Sequence, residues 1–458
     1  MVRDCWALGL LSFQEGSWPS LRMRRFTVIL LSSLLGMLAV SASAHADVDT
    51  GQVVVRYRDH QAVVHYADGE AAARALPALR RRAGVVSAAP RYVARPADFD
   101  DTGVAQAAGT PGGWQAVEWD LVGPFGIDVP GAWTQLATMG ARGGAGIKVA
   151  VVDTGVAYAN RPPYRRSPDL PAKRMRSGYD FVAGDRYPND RSGHGTFVAS
   201  AIAAAADNHF GMIGVAYRAD IMPVRVLDSL DEGTSSAIAR GIRYSVDHDA
   251  RVINLSVEFF DLLSGRPYTI TSSPDVRDAI RYAGEHRVPV VVAAGNSGEA
   301  EIPSKVLDDS IIYVGATTEH GCLADYSNFG HGVDVVAPGG GSDAALPNDP
   351  HCVPNAKAGR NVQQVTFKRG QYGDFSIPHD RSGRIGLKGT SMAAPHVTGV
   401  IALLLASKVL GEHPTTKQIS QRLTATARDL GAPGPDRYYA AGLVDAAAAL
   451  RGTPTPAR

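Results

Sequence analysis

Short, almost uninterrupted apolar runs recur from Trp119 onward, and they limit the possible folds more than any other feature of this chain. They fall at residues 147–152, 221–226, 252–256, 288–292, 311–314 and 333–336, separated by stretches with helical spacing near 235–248 and 275–286. A strand that is apolar on both faces needs cover on both faces, which means a parallel sheet between two helix layers. The sequence therefore predicts an α/β unit from Trp119 to about Leu450, with Pro289 tolerable only near a strand start. Two closing helices are expected at 391–408 and 416–427. The second is opened by Thr415 with Gln418 three residues on, a capping-box pattern. With 458 residues, 45% of them apolar, the chain can bury one large domain plus accessories. Its 46 basic and 45 acidic residues leave no net charge that would call for a nucleic acid.

The ends of these elements carry chemistry. The run at 147–152 stops at Asp153-Thr154-Gly155, which sets a carboxylate at the carboxyl end of a strand. Gly193-His194-Gly195-Thr196 precedes an apolar helix at 197–206, placing an imidazole at its first turn. Gly389-Thr390-Ser391-Met392-Ala393-Ala394-Pro395-His396 sets a hydroxyl at the start of an Ala-rich helix, where backbone N–H groups and the helix dipole favour nearby negative charge. An unassisted hydroxyl is a weak nucleophile and needs a base. A further strand, from Val290, runs into Ala293-Ala294-Gly295-Asn296-Ser297-Gly298 and ends in a side-chain amide. Singly, each residue reads as a turn residue, a cap or a structural histidine. Jointly they contain a nucleophile, a base, a carboxylate and an amide donor.

In this order and within these motifs, Asp153, His194, Ser391 and the Asn296 strand resemble the subtilisin-like serine proteases, or subtilases. The resemblance implies a three-layer α/β fold with a mostly parallel sheet between helices, and endopeptidase chemistry on polypeptide substrates through an acyl-enzyme. His194 would take the Ser391 proton, Asp153 would orient and stabilise the imidazole, and Asn296 with the Ser391 N–H would hold the oxyanion. The substrate channel would be lined by Ser256, Val257 and Glu258 on one side and by Ala293, Ala294 and Gly295 on the other. A catalytically dead scaffold binding peptides in the same cleft is the competing reading; the complete triad argues against it.

The chain also departs from the family pattern. Phe197 and Ser200 replace the His and Gly usual in the histidine helix, a change expected to touch packing more than chemistry. Where subtilases commonly show Ser-Leu-Gly-Gly, this chain has Ser256-Val257-Glu258-Phe259. Glu258 either selects a basic residue on the acyl side of the scissile bond or points to solvent. The solvent reading is the expectation, since acidic side chains are rarely buried unpaired. The resemblance further implies a structural calcium site from Asp169, Asn208 and the backbone of Ala206, Phe210 and Met212, all hard oxygen donors; an ordinary Asx-rich turn is the alternative.

Ahead of this unit the chain reads as an exported precursor. Arg22-Met23-Arg24-Arg25 precedes an apolar stretch at 26–40 and a small-residue site at Ser41-Ala42-Ser43-Ala44-His45-Ala46, a signal peptide over 1–46 whose own start is expected at Met23. The apolar stretch is shorter than a membrane span. A secreted product, extracellular or periplasmic, with no membrane anchor after cleavage is expected. Residues 47–113 read as a small α+β unit: strands at 53–57 and 62–66, a basic helix at 70–82 interrupted by Pro77, a closing strand at 85–93, and an Ala/Gly-rich connector at 103–113. Its position resembles the subtilase propeptide, an intramolecular chaperone and inhibitor whose tail enters the cleft and which is removed on maturation; an accessory domain that stays attached is the alternative. The peptidase unit then spans 114–451, with a short tail at 452–458 and a monomer expected. Cys5 would leave with the signal peptide, and Cys322 and Cys352 remain as an even pair, predicted to form one disulfide, with two free thiols as the alternative. Gly143-Gly144-Ala145-Gly146 precedes a strand and opens no helix, which makes it a turn and not a nucleotide loop.

Overall fold

The computed structural model describes residues 51–451, apart from 59, 68, 91–92, 97–105, 108–113, 209, 261–266, 269, 299–309, 347, 354–356 and 381. The expected signal peptide, Cys5 and the tail at 452–458 lie outside the described residues.

The N-terminal part is a three-stranded antiparallel sheet in the order β2-β1-β3, made of β1 (Gln52–Tyr57), β2 (Gln61–His65) and β3 (Val85–Pro90), packed against helix α1 (Gly69–Arg80). Val53, Val55, Ala72, Leu76 and Ala88 form its small core. Pro77 does not interrupt α1, which runs through it; a proline there removes one N–H bond but need not end the helix when one face is packed. The closing strand expected at 85–93 divides. β3 stays in this sheet, while β4 (Val93–Pro96) crosses to another one, lying between β9 (Gly233–Thr234) and β11 (Val257–Phe260), itself paired with β12 (Pro267–Tyr268). Within the connector, β5 (Gln106–Ala107) pairs with β17 (Phe375–Ile377), which in turn pairs with β16 (Thr366–Phe367). The Ala/Gly-rich connector thus contains a paired strand, because an unfilled edge of that hairpin offers its backbone hydrogen bonds to it.

The main unit is a seven-stranded, all-parallel sheet, ordered β15-β14-β13-β10-β6-β8-β7. The strands are β6 (Lys148–Asp153), β7 (Tyr179–Asp180), β8 (Asp220–Arg225), β10 (Val252–Leu255), β13 (Val290–Ala293), β14 (Ile311–Thr317) and β15 (Val335–Pro338). Pro289 immediately precedes β13 and its carbonyl still accepts from Ile253 N–H. Along β6, Val149 and Val151 face one core while Ala150 and Val152 face the other, the two-residue period of a strand buried on both sides. On the first face lie α4 (Val129–Thr138), α5 (His194–Ala203), α8 (Thr390–Ser407), α9 (Thr416–Thr426) and α10 (Ala446–Leu450). On the second lie α6 (Ser235–Asp247) and α7 (Pro274–Glu285). Two short helices, α2 (Trp114–Val117) and α3 (Trp119–Val122), lead into the unit. The three-layer α/β architecture is therefore present. The capping box at Thr415 and Gln418 is present, and α8, the one described helix long and apolar enough to span a membrane, is buried in the core.

Cys322 and Cys352 are joined in a disulfide. Gly143 and Gly144 both adopt positive φ in the turn before β6. Phe197 and Ser200 serve packing as expected: Phe197 is buried with Val362, Leu387 and Met392, and Ser200 Oγ donates to Val365 O.

Candidate active site

The carboxyl ends of β6, β10 and β13 and the amino ends of α5 and α8 meet on one rim. Asp153, the last residue of β6, is fully buried. Its Oδ1 accepts from Thr154 N–H at 2.7 Å and lies 2.7 Å from His194 Nδ1; its Oδ2 has no partner among the described residues. A carboxylate in that position selects the His194 tautomer with a proton on Nδ1, leaving Nε2 as the ring's basic atom.

His194 is held by the way α5 begins. Asp190 supplies the cap from outside the helix: Oδ1 accepts from Ser192 N–H, Gly193 N–H and Thr154 Oγ1, and Oδ2 from Thr196 N–H and Oγ1. Burial pushes the Asp190 carboxyl up, and these hydrogen bonds oppose the shift. Thr154 Oγ1 accepts from Gly195 N–H, tying α5 to β6. Gly195 has to be glycine because a Cβ would collide with Gly155 O and come within 3.0 Å of Asp153 Oδ1. The Gly193 carbonyl accepts from Thr366 Oγ1 at 2.5 Å, so the β16–β17 hairpin buttresses the histidine turn.

Ser391 stands in the first turn of α8 after Gly389, whose φ is 149°. Its Oγ donates to Ser256 O at 3.3 Å, and Ser256 Oγ donates back to Ser391 O at 3.0 Å. Ser256 Oγ also accepts from Asn254 Nδ2, while Asn254 Oδ1 accepts from Thr398 Oγ1 of α8, so β10 and the serine helix are laced together. Ser391 is closed off from solvent and His194 nearly so. The Ser391 hydroxyl is engaged with the Ser256 carbonyl; catalytic hydrogen bonds to a base often form only once substrate is in place.

Asn296 follows β13 and faces α8. Its Oδ1 accepts both from Thr390 N–H at 2.9 Å and from Thr390 Oγ1 at 3.1 Å, while Thr390 Oγ1 accepts from Gly295 N–H. With the oxygen doubly occupied the amide cannot turn over. Its Nδ2 is buried and has no partner among the described residues, beside the residue that precedes Ser391. An unpaired buried donor is costly and marks a place built to receive an oxygen.

The expected channel residues divide between two walls. Val257 and Glu258 lie where β4 is hydrogen-bonded to β11, with Ser256 immediately before it, and Ala293, Ala294 and Gly295 run along the opposite segment, with Ala294 O accepting from Asn328 Nδ2. Glu258 does not point to solvent. It is 9% exposed, and its Oε1 accepts from Asn296 N–H at 3.2 Å. Burial pushes its carboxyl up to about 7. The solvent expectation fails because the carboxyl turns inward, to Asn296 N–H and against Gly295.

At the expected calcium loop, Asp169 is buried, with Oδ1 accepting from Asn208 Nδ2 at 2.6 Å and Oδ2 from Met212 N–H at 3.0 Å. Asn208 Oδ1 accepts from Phe210 N–H, and the chain folds over Asp169 from Ala206 to Met212, with Ala205 N–H donating to Asp169 O. Burial pushes the Asp169 carboxyl up to about 7 despite these bonds, the state of a desolvated acid without enough positive charge nearby. The donors of this loop are hard oxygens of the kind calcium takes, but presenting the Asn208 oxygen to a cation would give up its bonds to Asp169 and Phe210 N–H. Among the described residues no group of three or more His, Cys, Asp or Glu side chains gathers to hold a metal.

Several residues had no signal in the sequence. His396 Nε2 lies 2.8 Å from Asp120 Oδ2 and its Nδ1 2.7 Å from Met392 O, all buried, which anchors the first turns of α8 to α3. Glu118 is buried beside Asp120, and burial with that neighbouring charge pushes its carboxyl well up. Asn328 Oδ1 gathers Ser297 N–H, Ser297 Oγ and Gly298 N–H, shaping the turn after Asn296. A motif with offset Asn or Asp near the catalytic strands would have been the only hint.

Comparison with known proteins agrees with this geometry. The family described as the subtilase family matches residues 144–442. A thermophilic serine proteinase of Bacillus sp. (strain AK1) is 37% identical over 263 residues, covering 57% of this chain and 53% of that protein. Subtilisin Savinase of Lederbergia lenta is 33% identical over 337 residues, covering 74% of this chain and 100% of that protein. Among solved structures, a protease from Pseudoalteromonas arctica superimposes with a TM-score of 0.54 at 29% identity, over 75% of this chain and 99% of that one.

Proposed function

The chain belongs to the subtilase family of serine-type endopeptidases, and on that premise we propose that Ser391, His194 and Asp153 are its catalytic triad, with Asn296 as the side-chain donor of the oxyanion hole. Ser391 Oγ attacks the scissile carbonyl as His194 Nε2 accepts its proton. The imidazolium is stabilised by Asp153 Oδ1 and returns a proton to the leaving amine; water then repeats the cycle on the acyl-enzyme. As the carbonyl oxygen takes up charge, Asn296 Nδ2 and the Ser391 N–H at the helix start receive it. The observation that carries the reading is the Asn296 amide, whose oxygen is held by Thr390 and whose NH2 is left unspent.

The same reading extends to biosynthesis. Residues 1–46 act as an export signal, and the product is extracellular or periplasmic. Residues 47–113 act as a propeptide. Arg56 of β1 pairs with Asp278 on α7, and β4 lies as an antiparallel strand between β9 and β11, the path an extended substrate would take toward Ser391. The closed state of Ser391 in the precursor suits a zymogen. Maturation would cut the chain between Pro96 and Trp114. Asp169 and Asn208, with the carbonyls of Ala206, Phe210 and Met212, would hold a calcium ion, which when bound supplies charge compensation and stability to the loop.

The test is export of wild type beside Ser391→Ala, followed by mass spectrometry and a casein assay. Wild type is expected to lose its N-terminal segment and to digest casein, while Ser391→Ala retains the segment and is inert. Equal processing of both would reject self-maturation, and equal casein hydrolysis would reject the triad.

A further inference from the structure

The first turn of α8 lacks part of its own backbone ladder. Pro395 has no N–H, so the carbonyl four residues before it, Ser391 O, receives no helical hydrogen bond from that position. Side chains hold the turn instead. Ser256 Oγ donates to Ser391 O on one side. On the other, the His396 ring lies between α8 and α3, with Nδ1 2.7 Å from Met392 O and Nε2 2.8 Å from Asp120 Oδ2. Both side chains are 1% exposed. Asp120 stands on a fixed post, since its own carbonyl accepts from Ile127 N–H and the neighbouring Trp119 indole N–H donates to Asn361 O.

These two contacts fix how many protons the pair carries. A carbonyl only accepts, so the ring presents Nδ1–H to Met392 O. The approach of Nε2 to a carboxyl oxygen then needs a second hydrogen between them, because a bare Nε2 and a bare carboxylate would set lone pair against lone pair. Imidazolium with carboxylate and imidazole with carboxylic acid both meet this need with the same bridging proton. Asp120 Oδ1 has no partner among the described residues. A buried carboxyl with one unpartnered oxygen costs stability; what it secures is the turn that carries the nucleophile. Resting on the Ser391 reading, we propose that Asp120 and His396 are a positioning pair for catalysis, holding through one buried bridging proton the turn that presents the Ser391 hydroxyl and the Ser391 N–H. Both act through α8 and not on the substrate.

Steady-state peptide hydrolysis by Asp120→Ala, Asp120→Asn, His396→Ala and the double variant Asp120→Ala with His396→Ala tests this, with turnover counted per Ser391 labelled by a fluorophosphonate. A variant that merely folds or matures poorly loses labelled sites and keeps its turnover per site. Asp120→Ala is expected to lower kcat per site by about ten- to a hundredfold, the cost of a misplaced reacting group, with KM within about threefold of wild type. Asp120→Asn is expected to stay within about threefold of wild type in kcat, because its amide donates to Nε2 of the neutral ring and keeps the bridge. The double variant should be little slower than either alanine variant alone. An unchanged kcat per site in Asp120→Ala, an Asp120→Asn as slow as Asp120→Ala, or strict additivity in the double variant would overturn the proposal. Failure of the catalytic reading would instead show as wild type that takes up no label at Ser391 and is no more active than Ser391→Ala.

Discussion

Replacing Asn296 by alanine separates two jobs that one side chain performs. Its Oδ1 receives Thr390 N–H and Oγ1, bonds that exist in the resting protein, and its unspent Nδ2 acts only when an oxyanion forms. Loss of the first job costs stability: one buried N–H at the start of α8 loses its partner, about 1–3 kcal/mol. Loss of the second costs the transition state about 3 kcal/mol, the size found when a subtilisin loses such a donor, and hence roughly two orders of magnitude in kcat. Ground-state binding does not use the donor, so KM should move little. Thr390→Val provides the control. It removes the 3.1 Å hydroxyl contact and the acceptor of Gly295 N–H but leaves the Thr390 N–H bond and the amide in place, so stability should fall while kcat falls less than in Asn296→Ala. The assay is steady-state hydrolysis of a fluorogenic peptide by both mature variants, with urea unfolding measured alongside in the Ser391→Ala background. A kcat for Asn296→Ala within threefold of wild type, or a loss carried by KM, would refute the assignment of Nδ2 to the oxyanion.

Three further outcomes follow from the structure. Cys322→Ser with Cys352→Ser opens a loop of 30 residues and should lower stability by roughly 3.6 kcal/mol from chain entropy; no change in the urea midpoint of the inactive precursor would contradict this. Gly195→Ala forces a methyl against Gly155 O and Asp153 Oδ1, so it should lower kcat by more than tenfold, since about 1.4 kcal/mol of misalignment suffices, while peptide inhibitors still bind; full activity would show that α5 can shift without cost. Chelator should lower the melting temperature of the mature protein and added calcium restore it, whereas Asp169→Asn with Asn208→Ala should abolish that response; melting curves indifferent to calcium would remove the metal from the loop.

The family architecture was legible because it is written in local patterns. Apolar runs such as 149–152 and 290–292 can only be strands covered on both faces, and Asp153, His194, Asn296 and Ser391 stand at element ends, where backbone geometry exposes a side chain to the rim. Glu258 was misread because its neighbours in sequence, Val257 and Phe259, say nothing about Asn296 and Gly295, against which its carboxyl is buried. The division of the expected 85–93 strand was equally invisible, since both halves have strand propensity and only the edges available to each decide which sheet it joins.

The amino-acid order alone therefore determined the layer architecture and the chain order of the reactive groups, both of which depend on residue type and short-range period. Tertiary structure alone decided which donor of Asn296 stays unspent, what locks the start of α5, why His396 is bound to Asp120, and that the Glu258 carboxyl is buried against Asn296 N–H. Those outcomes depend on partners tens to hundreds of residues away, and a hydrogen bond or a buried charge acquires its energy from the group that folding brings against it.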